Sequence, residues 1–348
     1  MSSLVVQVTT IDEIKPHSNA DRLEIAIIGG WQCVVAKGQY QAGAHIVYFP
    51  PETVLPQSWT DRFGVTQYCS LVKSVSPTYS SDEPRNRIRC ARLRGEPSFG
   101  LVVTPELDWP VGTDVAAFYG ALKYEPPVKF KAEDATPAHP LFAQYTSIEN
   151  LRHFPTVLNG MEVEVVEKLH GTNTRVGLIE GTFMAGSHRV QRKEPTDYAA
   201  NRYWFPLSLP GVKNLLTELG KQYRQVVLYG EVFGRGIQAF TYGRPGLAYA
   251  AFDLLRDGTF ADYDLFMKTC EHFGVPVAPE LGQFSYDSRD LSFLKELVAG
   301  ISTYGGNIKE GAVLRPLREQ SNPQLGRLIL KYLADDYLLA KHEDFTDR

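Results

Sequence analysis

Apolar residues fall on two different rhythms along this chain. Up to about Leu122 they come in short runs. LVVQVTTIDEI and RLEIAIIGGWQCVVA are rich in β-branched and aromatic residues, with Gly29, Gly30, Gly38 and Gly43 as punctuation, which is strand-and-turn chemistry. AHIVYFPP stops at Pro50 and Pro51, and RNRIRCARLRG and FGLVVTPEL come after it. About five short strands with no long helical pattern predict a small all-β barrel of the OB type over residues 1–122. The stretch KYEPPVKFKAEDATPAHP is dense in proline and charge, and predicts a linker over residues 123–142. A second domain, residues 143–348, is expected to open on a short helix, because Thr146 and Glu149 form a capping box ahead of IENLRHF. VEVEVVEKLHGTNTRVGLIEGTFMAGS, QVVLYGEVFG, LAYAAFDLL and GAVLRPL then read as strands, while GVKNLLTELGKQYR, DYDLFMKTCEHFG and DLSFLKELVAG carry helical spacing. The expected class is α+β, a barrel followed by a mixed α/β domain.

Composition narrows the function. The chain is 43% hydrophobic and 22% charged, the balance of a globular protein. MSSLVVQVTT has no basic leader region and no long apolar run, so neither a secretory signal nor a membrane anchor is expected. The four cysteines are scattered, with no CxxC pair; this argues against zinc and suits a reducing, cytoplasmic or otherwise intracellular setting. A net charge of -4 argues against indiscriminate nucleic-acid coating while leaving room for a local basic surface.

The segment VEVVEKLHGTN ends an apolar strand on a lysine, Lys168, with Gly171 three places on. Lys-x-x-Gly alone is weak, since average usage produces it about once in a chain of this length. The downstream residues change the odds. Arg189 lies in AGSHR, Glu231 in LYGEVFG, Phe252 in YAAFDLL, Glu310 in KEGAVLRP and Lys331 in LILKYL. In this order the motifs resemble those of the covalent nucleotidyltransferase superfamily, the ATP-grasp-like fold of ligases and capping enzymes. The His-Gly-Thr-Asn run after the lysine is similar to the RNA-ligase branch, where DNA ligases and capping enzymes mostly carry Asp-Gly. A barrel placed before the catalytic domain, and a chain that ends soon after the fifth motif, resemble the fifth family of RNA ligases. One position departs from the pattern: the first basic residue of the fifth motif is replaced by Ile329, with Arg327 the nearest cation that could cover it.

The resemblance implies an ATP-dependent enzyme that seals 3′-OH RNA ends to 5′-phosphates, in nicked RNA or RNA/DNA duplexes. Lys168 would carry AMP; Lys331, Glu310 and Glu231 would complete the catalytic set. Nucleotide contacts would come from Glu167, Lys168, Leu169, Asn173, Arg175, Arg189, Glu231, Phe252, Glu310 and Lys331, with Phe252 stacking on adenine. Glu231 and Glu310 are hard oxygen donors suited to Mg²⁺ or Mn²⁺. A lysine with an ordinary pKa near 10.4 is only about 0.1% neutral near pH 7, so its activation is worth roughly 4 kcal/mol; burial, a metal and Lys331 are the expected sources. His170 would be a nucleic-acid contact. In the barrel region, IKPHSNADRLEIAIIG resembles the OB module that accompanies some synthetases, and Arg85, Arg87 and Arg89 would share one face if RNRIRC is a strand, a row suited to phosphates. The blander readings are a solvated strand for the arginines, a core side chain for Phe252, an exposed turn for Glu231, a loop cation for Arg189 and a structural ring for His170. The alternatives are a capping-type guanylyltransferase and a non-catalytic OB-fold RNA-binding protein. A monomer is the expectation.

Overall fold

The computed structural model describes residues 4–72, 83–125, 128–130, 134–340 and 346–347. The chain divides into two compact units, Met1–Pro127 with Leu151–Pro155, and Val128–Asn150 with Thr156–Arg348.

The first unit is built from short antiparallel sheets. Gln7–Thr10, His45–Phe49 and Leu101–Val103 form one, Glu13–Pro16, Leu23–Ile28 and Trp31–Ala36 a second, and Leu122–Lys123, Thr53–Pro56, Arg85–Arg87 and Ser70–Leu71 a third. Alternation along the strands sends Val8, Val47, Phe49, Leu55 and Val103 to a common core with Ile88 and Tyr119. The hairpin Cys90–Leu93 to Glu96–Phe99 turns at Arg94 and Gly95. Residues 151–155 join this unit through Arg152, whose guanidinium lies 4.7 Å from the Trp31 ring centre.

The second unit holds a seven-stranded and a five-stranded sheet. In the larger one, Val226, Leu228 and Val232 face the helices Pro210–Leu219 and Tyr263–Phe273, packing on Val212, Leu215, Leu216, Phe266 and Cys270. The opposite face, with Val227, Tyr229 and Leu255, packs on Phe142, Tyr145 and Ile329 and meets Val313 of the smaller sheet. Asp253, fully buried, ties the two sheets together: Arg315 lies 3.1 Å and Arg327 2.6 Å from it. Burial pushes the Asp253 carboxyl up, but the two guanidiniums outweigh it and hold it below the ordinary range.

Two expectations need correction. The capping box does not start an α-helix. Glu149–Asn150 pairs in parallel with Leu330–Lys331, and only Leu151–His153 coils, as one 3-10 turn; strand pairing and the capture of Arg152 by Trp31 override a local cap. The linker is partly strand. Val128–Phe130 pairs with Thr346–Asp347, and Ala135–Thr136 with Gln191–Arg192, while residues 126–127 and 131–133 of that expected linker lie outside the described residues. No helix among the described residues is long and apolar enough to cross a membrane.

Candidate active site

Lys168 is the last residue of the strand Glu162–Lys168, and the next strand, Thr172–Ile179, begins four residues later. Gly171 lies in the connection because the chain passes too close to the neighbouring strand for anything larger: a Cβ there would stand 2.3 Å from the Val232 carbonyl oxygen and 3.0 Å from Glu231 Cγ. That approach lets the Gly171 amide donate to the Glu231 carboxylate.

Glu162–Lys168 is central in the smaller sheet. Lys168 sits opposite Gly311, and Gly311 opposite Leu333; one step back, Val166 sits opposite Val313, and Val313 opposite Lys331. Strand periodicity therefore places Lys168 and Lys331 on one face of the sheet, one row apart. Glu310 immediately precedes the strand Gly311–Pro316, and its Oε1 lies 2.6 Å from Lys168 Nζ. Glu310 is 6% exposed. Burial works to raise its carboxyl, yet Lys168 and His170 prevail and hold it at about 2.

His170 is 6% exposed, so it is not placed as a surface contact for nucleic acid. Its Nδ1 is 3.2 Å from Tyr337 Oη and 3.6 Å from Glu310 Oε2, its ring packs 4.9 Å from that of Phe240, and its backbone N–H donates to Tyr242 Oη at 2.6 Å. The three aromatics Phe240, Tyr242 and Tyr337 carried no signal in the sequence beyond their apolar character; here they fix the imidazole that flanks Glu310.

Glu231 enters from the larger sheet. It pairs with Asn173 across the strands Thr172–Ile179 and Gln225–Gly234 and lies on the same face as Tyr229. Burial raises its carboxyl to about 8 despite Lys168 and the Gly171 amide, and the nearby Glu310 pushes it further in the same direction. Two carboxylates therefore converge on one ammonium. Asn173 Oδ1 is buried and accepts no hydrogen bond among the described residues. An added divalent cation would suit this charge balance. No group of three or more His, Cys, Asp or Glu side chains converges among the described residues, so the fit is to a cation held by Glu231 and Glu310 and completed by phosphate oxygens and water, as magnesium sites commonly are.

Phe252 occupies a bulge. Tyr229 pairs with Asp253 and Gly230 with Ala251, so Phe252 is the extra residue of its strand, and a bulge re-aims its side chain. The ring is half-buried and meets Tyr145 edge-on at 4.9 Å.

Other expected residues are placed differently. Glu167 alternates to the face away from Lys168, where its Oε2 accepts the Thr303 amide at 2.9 Å. Leu169 is buried. Arg175 is 1% exposed and donates to the backbone carbonyls of Ser187, at 3.1 Å, and Phe142; its guanidinium ties the end of the neighbouring strand to the segment at Phe142. Arg189 is half-buried in the turn after Thr182–Ser187. Arg327 does not stand in for a missing cation at Ile329: it is bound to Asp253 and Glu319, and Ile329 is core. In the first unit the arginine row breaks up. The strand covers Arg85–Arg87 only; Arg85 donates to the Gly120 carbonyl at 2.8 Å, and Arg87 pairs with Glu52 at 2.5 Å and stacks on Tyr124. Arg89 lies beyond the strand and is exposed.

Residues 161–333 match the profile of the RNA ligase family, and residues 5–105 match the PHA02142 OB-fold domain profile. No curated protein sequence matches the chain. Among solved structures, it is similar to the Naegleria gruberi RNA ligase. One mutant of that enzyme with AMP and Mn aligns at a TM-score of 0.78 and 23% identity, over 97% of this chain and 98% of that one. A second mutant, with ATP and Mn, aligns at 0.77 and 23%, over 96% and 98%; the same enzyme with PPi aligns at 0.76 and 22%, over 97% and 98%. At that identity the likeness carries the fold: an OB-fold unit followed by a ligase-type nucleotidyltransferase unit. Motifs, profile and fold agree, and residues 161–333 form a domain of the RNA ligase family.

Proposed function

We propose that this RNA ligase is adenylylated by ATP on Lys168 and seals a 3′-OH RNA end to a 5′-phosphate, in nicked duplexes. The observation that carries the reading is the convergence of Lys168 and Glu231, from two strands, with Glu310, just ahead of a third, and Lys168 Nζ lies 2.6 Å from Glu310. In the first step the Lys168 nitrogen attacks the α-phosphorus; an N–P bond forms as the bond to pyrophosphate breaks. AMP then passes to the RNA 5′-phosphate, and the 3′-OH displaces it to close the phosphodiester.

Each residue has a physical task in this scheme. Glu310, 2.6 Å from Lys168 Nζ, fixes where the nucleophile sits. His170, locked by Phe240, Tyr242 and Tyr337, positions Glu310. Glu231 and Glu310 would hold Mg²⁺ or Mn²⁺, which when bound neutralises charge developing on the α-phosphate. Lys331, on the Lys168 face of the sheet, supplies positive charge to the same phosphate. Phe252 offers an aromatic face to adenine, and Asn173 a polar contact beside Glu231. The Naegleria structures with ATP, AMP and Mn support the choice of nucleotide and metal.

Incubation with labelled ATP or GTP and Mg²⁺, followed by a denaturing gel and a nick-joining assay, tests the scheme. Label transfer from ATP and joining of a nicked RNA duplex are expected. Transfer from GTP alone would instead mark a capping-type enzyme.

A further inference from the structure

Tyr242 lies in the connection between the strands Gln225–Gly234 and Leu247–Arg256 and is 1% exposed. Its φ is 51°, in the left-handed region. An aromatic residue rarely adopts that backbone, and one that does is held there by its surroundings. The holders are identifiable. The Tyr242 amide donates to Asn307 Oδ1 at 2.8 Å, and the ring meets that of Phe233 edge-on at 5.3 Å. Gly306 is pressed against the same backbone: a Cβ there would stand 2.6 Å from the Gly243 nitrogen and 2.9 Å from the Tyr242 carbonyl carbon.

This backbone delivers the hydroxyl to one place. Tyr242 Oη accepts the His170 N–H at 2.6 Å, inside the connection that follows Lys168. The turn that carries Asn307 holds the other side of the nucleophile, where the Thr303 amide donates to Glu167 Oε2 at 2.9 Å. The Ser302 amide closes that turn on the Asn307 carbonyl at 2.8 Å, and the chain then runs on to Glu310. One support, Tyr242 with the turn at 302–307, therefore braces the residues on both sides of Lys168 and leads into the carboxylate that contacts it.

We infer that Tyr242 is a positioning residue for lysine adenylylation: its hydroxyl fixes the backbone of the Lys168–Gly171 connection, and Asn307 keeps Tyr242 where it can do so. The inference rests on Lys168 as the nucleophile. In-line attack needs the lysine nitrogen behind the α-phosphorus, and a misplacement of about 1 Å costs about a hundredfold in rate. Without its acceptor, the His170 amide is a buried donor left unpaired. The connection would shift to satisfy it and carry Lys168 along. Among the described residues the contacts of Tyr242 run to His170, Asn307 and neighbouring rings, not to Phe252, the ring assigned to adenine. The loss therefore falls on the rate of attack and not on ATP affinity.

The test times AMP transfer to the full chain over a range of ATP concentrations with Mg²⁺, with thermal unfolding of each sample as the check of folding. Tyr242→Phe keeps the ring and removes the hydroxyl. Its maximal rate is expected to fall at least about tenfold, with half-saturating ATP within about twofold of wild type, the split that positioning produces. Asn307→Ala is expected to show the same split. Asn307→Asp restores an oxygen that accepts the Tyr242 amide and is expected to recover to within about threefold of wild type. If Tyr242→Phe does not fold, the two Asn307 variants decide. Sealing of a pre-adenylylated RNA 5′ end is measured alongside. Lys168 is not the nucleophile in that step, so Tyr242→Phe and Asn307→Ala are expected to seal at near the wild-type rate. Wild-type maximal rates of AMP transfer in both variants would overturn the inference, as would a rise in half-saturating ATP that accounts for the loss, or an equal loss in sealing. A wild-type protein that takes no AMP on Lys168 would overturn the adenylylation reading and this inference with it. An adduct formed equally fast by wild type and Tyr242→Phe would overturn the inference alone.

Discussion

Replacing Glu231 with Gln should make the metal-free protein more stable at alkaline pH while impairing its chemistry. The Glu231 carboxyl is raised from 4.5 to about 8, chiefly by burial. A carboxyl raised on folding stays protonated in the native state while its unfolded counterpart ionises. Native stability therefore falls as pH climbs from about 4.5 to about 8, and above 8 the full cost is present. The interval corresponds to at most about 5 kcal/mol at about 1.36 kcal/mol per pH unit; water reaching a partly exposed carboxylate reduces it to about 2 kcal/mol. Gln keeps the shape and carries no charge. Urea unfolding of both proteins, with chelator present, should give nearly equal stabilities at pH 5 and a lead of about 2 kcal/mol for Glu231→Gln at pH 9. The same variant should bind Mn²⁺ more weakly and form the lysine adduct more slowly. An equal difference at both pH values, or a Gln variant less stable at pH 9, would refute the view that Glu231 is a desolvated carboxylate awaiting a cation.

Gly171→Ala would bring a methyl group 2.3 Å from the Val232 carbonyl. It should destabilise the protein by about 1–3 kcal/mol and slow adenylylation through displacement of Lys168 and Glu231; a wild-type melting curve would show that the connection can relax. Phe252→Leu preserves an apolar side chain against Tyr145 but removes the aromatic face, so the KM for ATP in adenylylation should rise about tenfold, consistent with a stacking contribution of about 1–3 kcal/mol. An unchanged KM would leave Phe252 a packing residue.

Lys168 was legible as the candidate nucleophile because it ends a strand, where an apolar run stops at a charged residue; Glu231, Phe252 and Lys331 lie inside strands and were read from their motifs alone. VEVVEK stops at Lys168, and the strand after KEG carries GAVLRP. What the sequence could not show is how side chains from distant strands pair. Glu310 was readable as a candidate metal ligand, yet its contact with Lys168 depends on two strands lying in register. The Asp253, Arg315 and Arg327 cluster was invisible for the same reason: each residue in isolation resembles a solvated charge, and only the packing of two sheets buries them together.

Local signals failed where tertiary contacts competed with them. Thr146 and Glu149 have the spacing of a helix cap, but Glu149 is taken up by strand pairing to Leu330. RNRIRC alternates as a strand should, yet the strand ends at Arg87, and its two arginines turn to Gly120, Glu52 and Tyr124. Counting arginines located a basic region; which of them face outward is decided by partners tens of residues away.

The mechanism stands on one covalent bond. Intact-protein and peptide mass spectrometry after incubation with ATP and Mg²⁺ should show one AMP on the peptide that contains Lys168. That adduct should be absent in Lys168→Ala and in Lys168→Arg, whose guanidinium stays protonated. AMP on a different residue, or an adduct that survives in Lys168→Ala, would contradict the assignment of the nucleophile and with it the mechanism built around Lys168, Glu231 and Glu310.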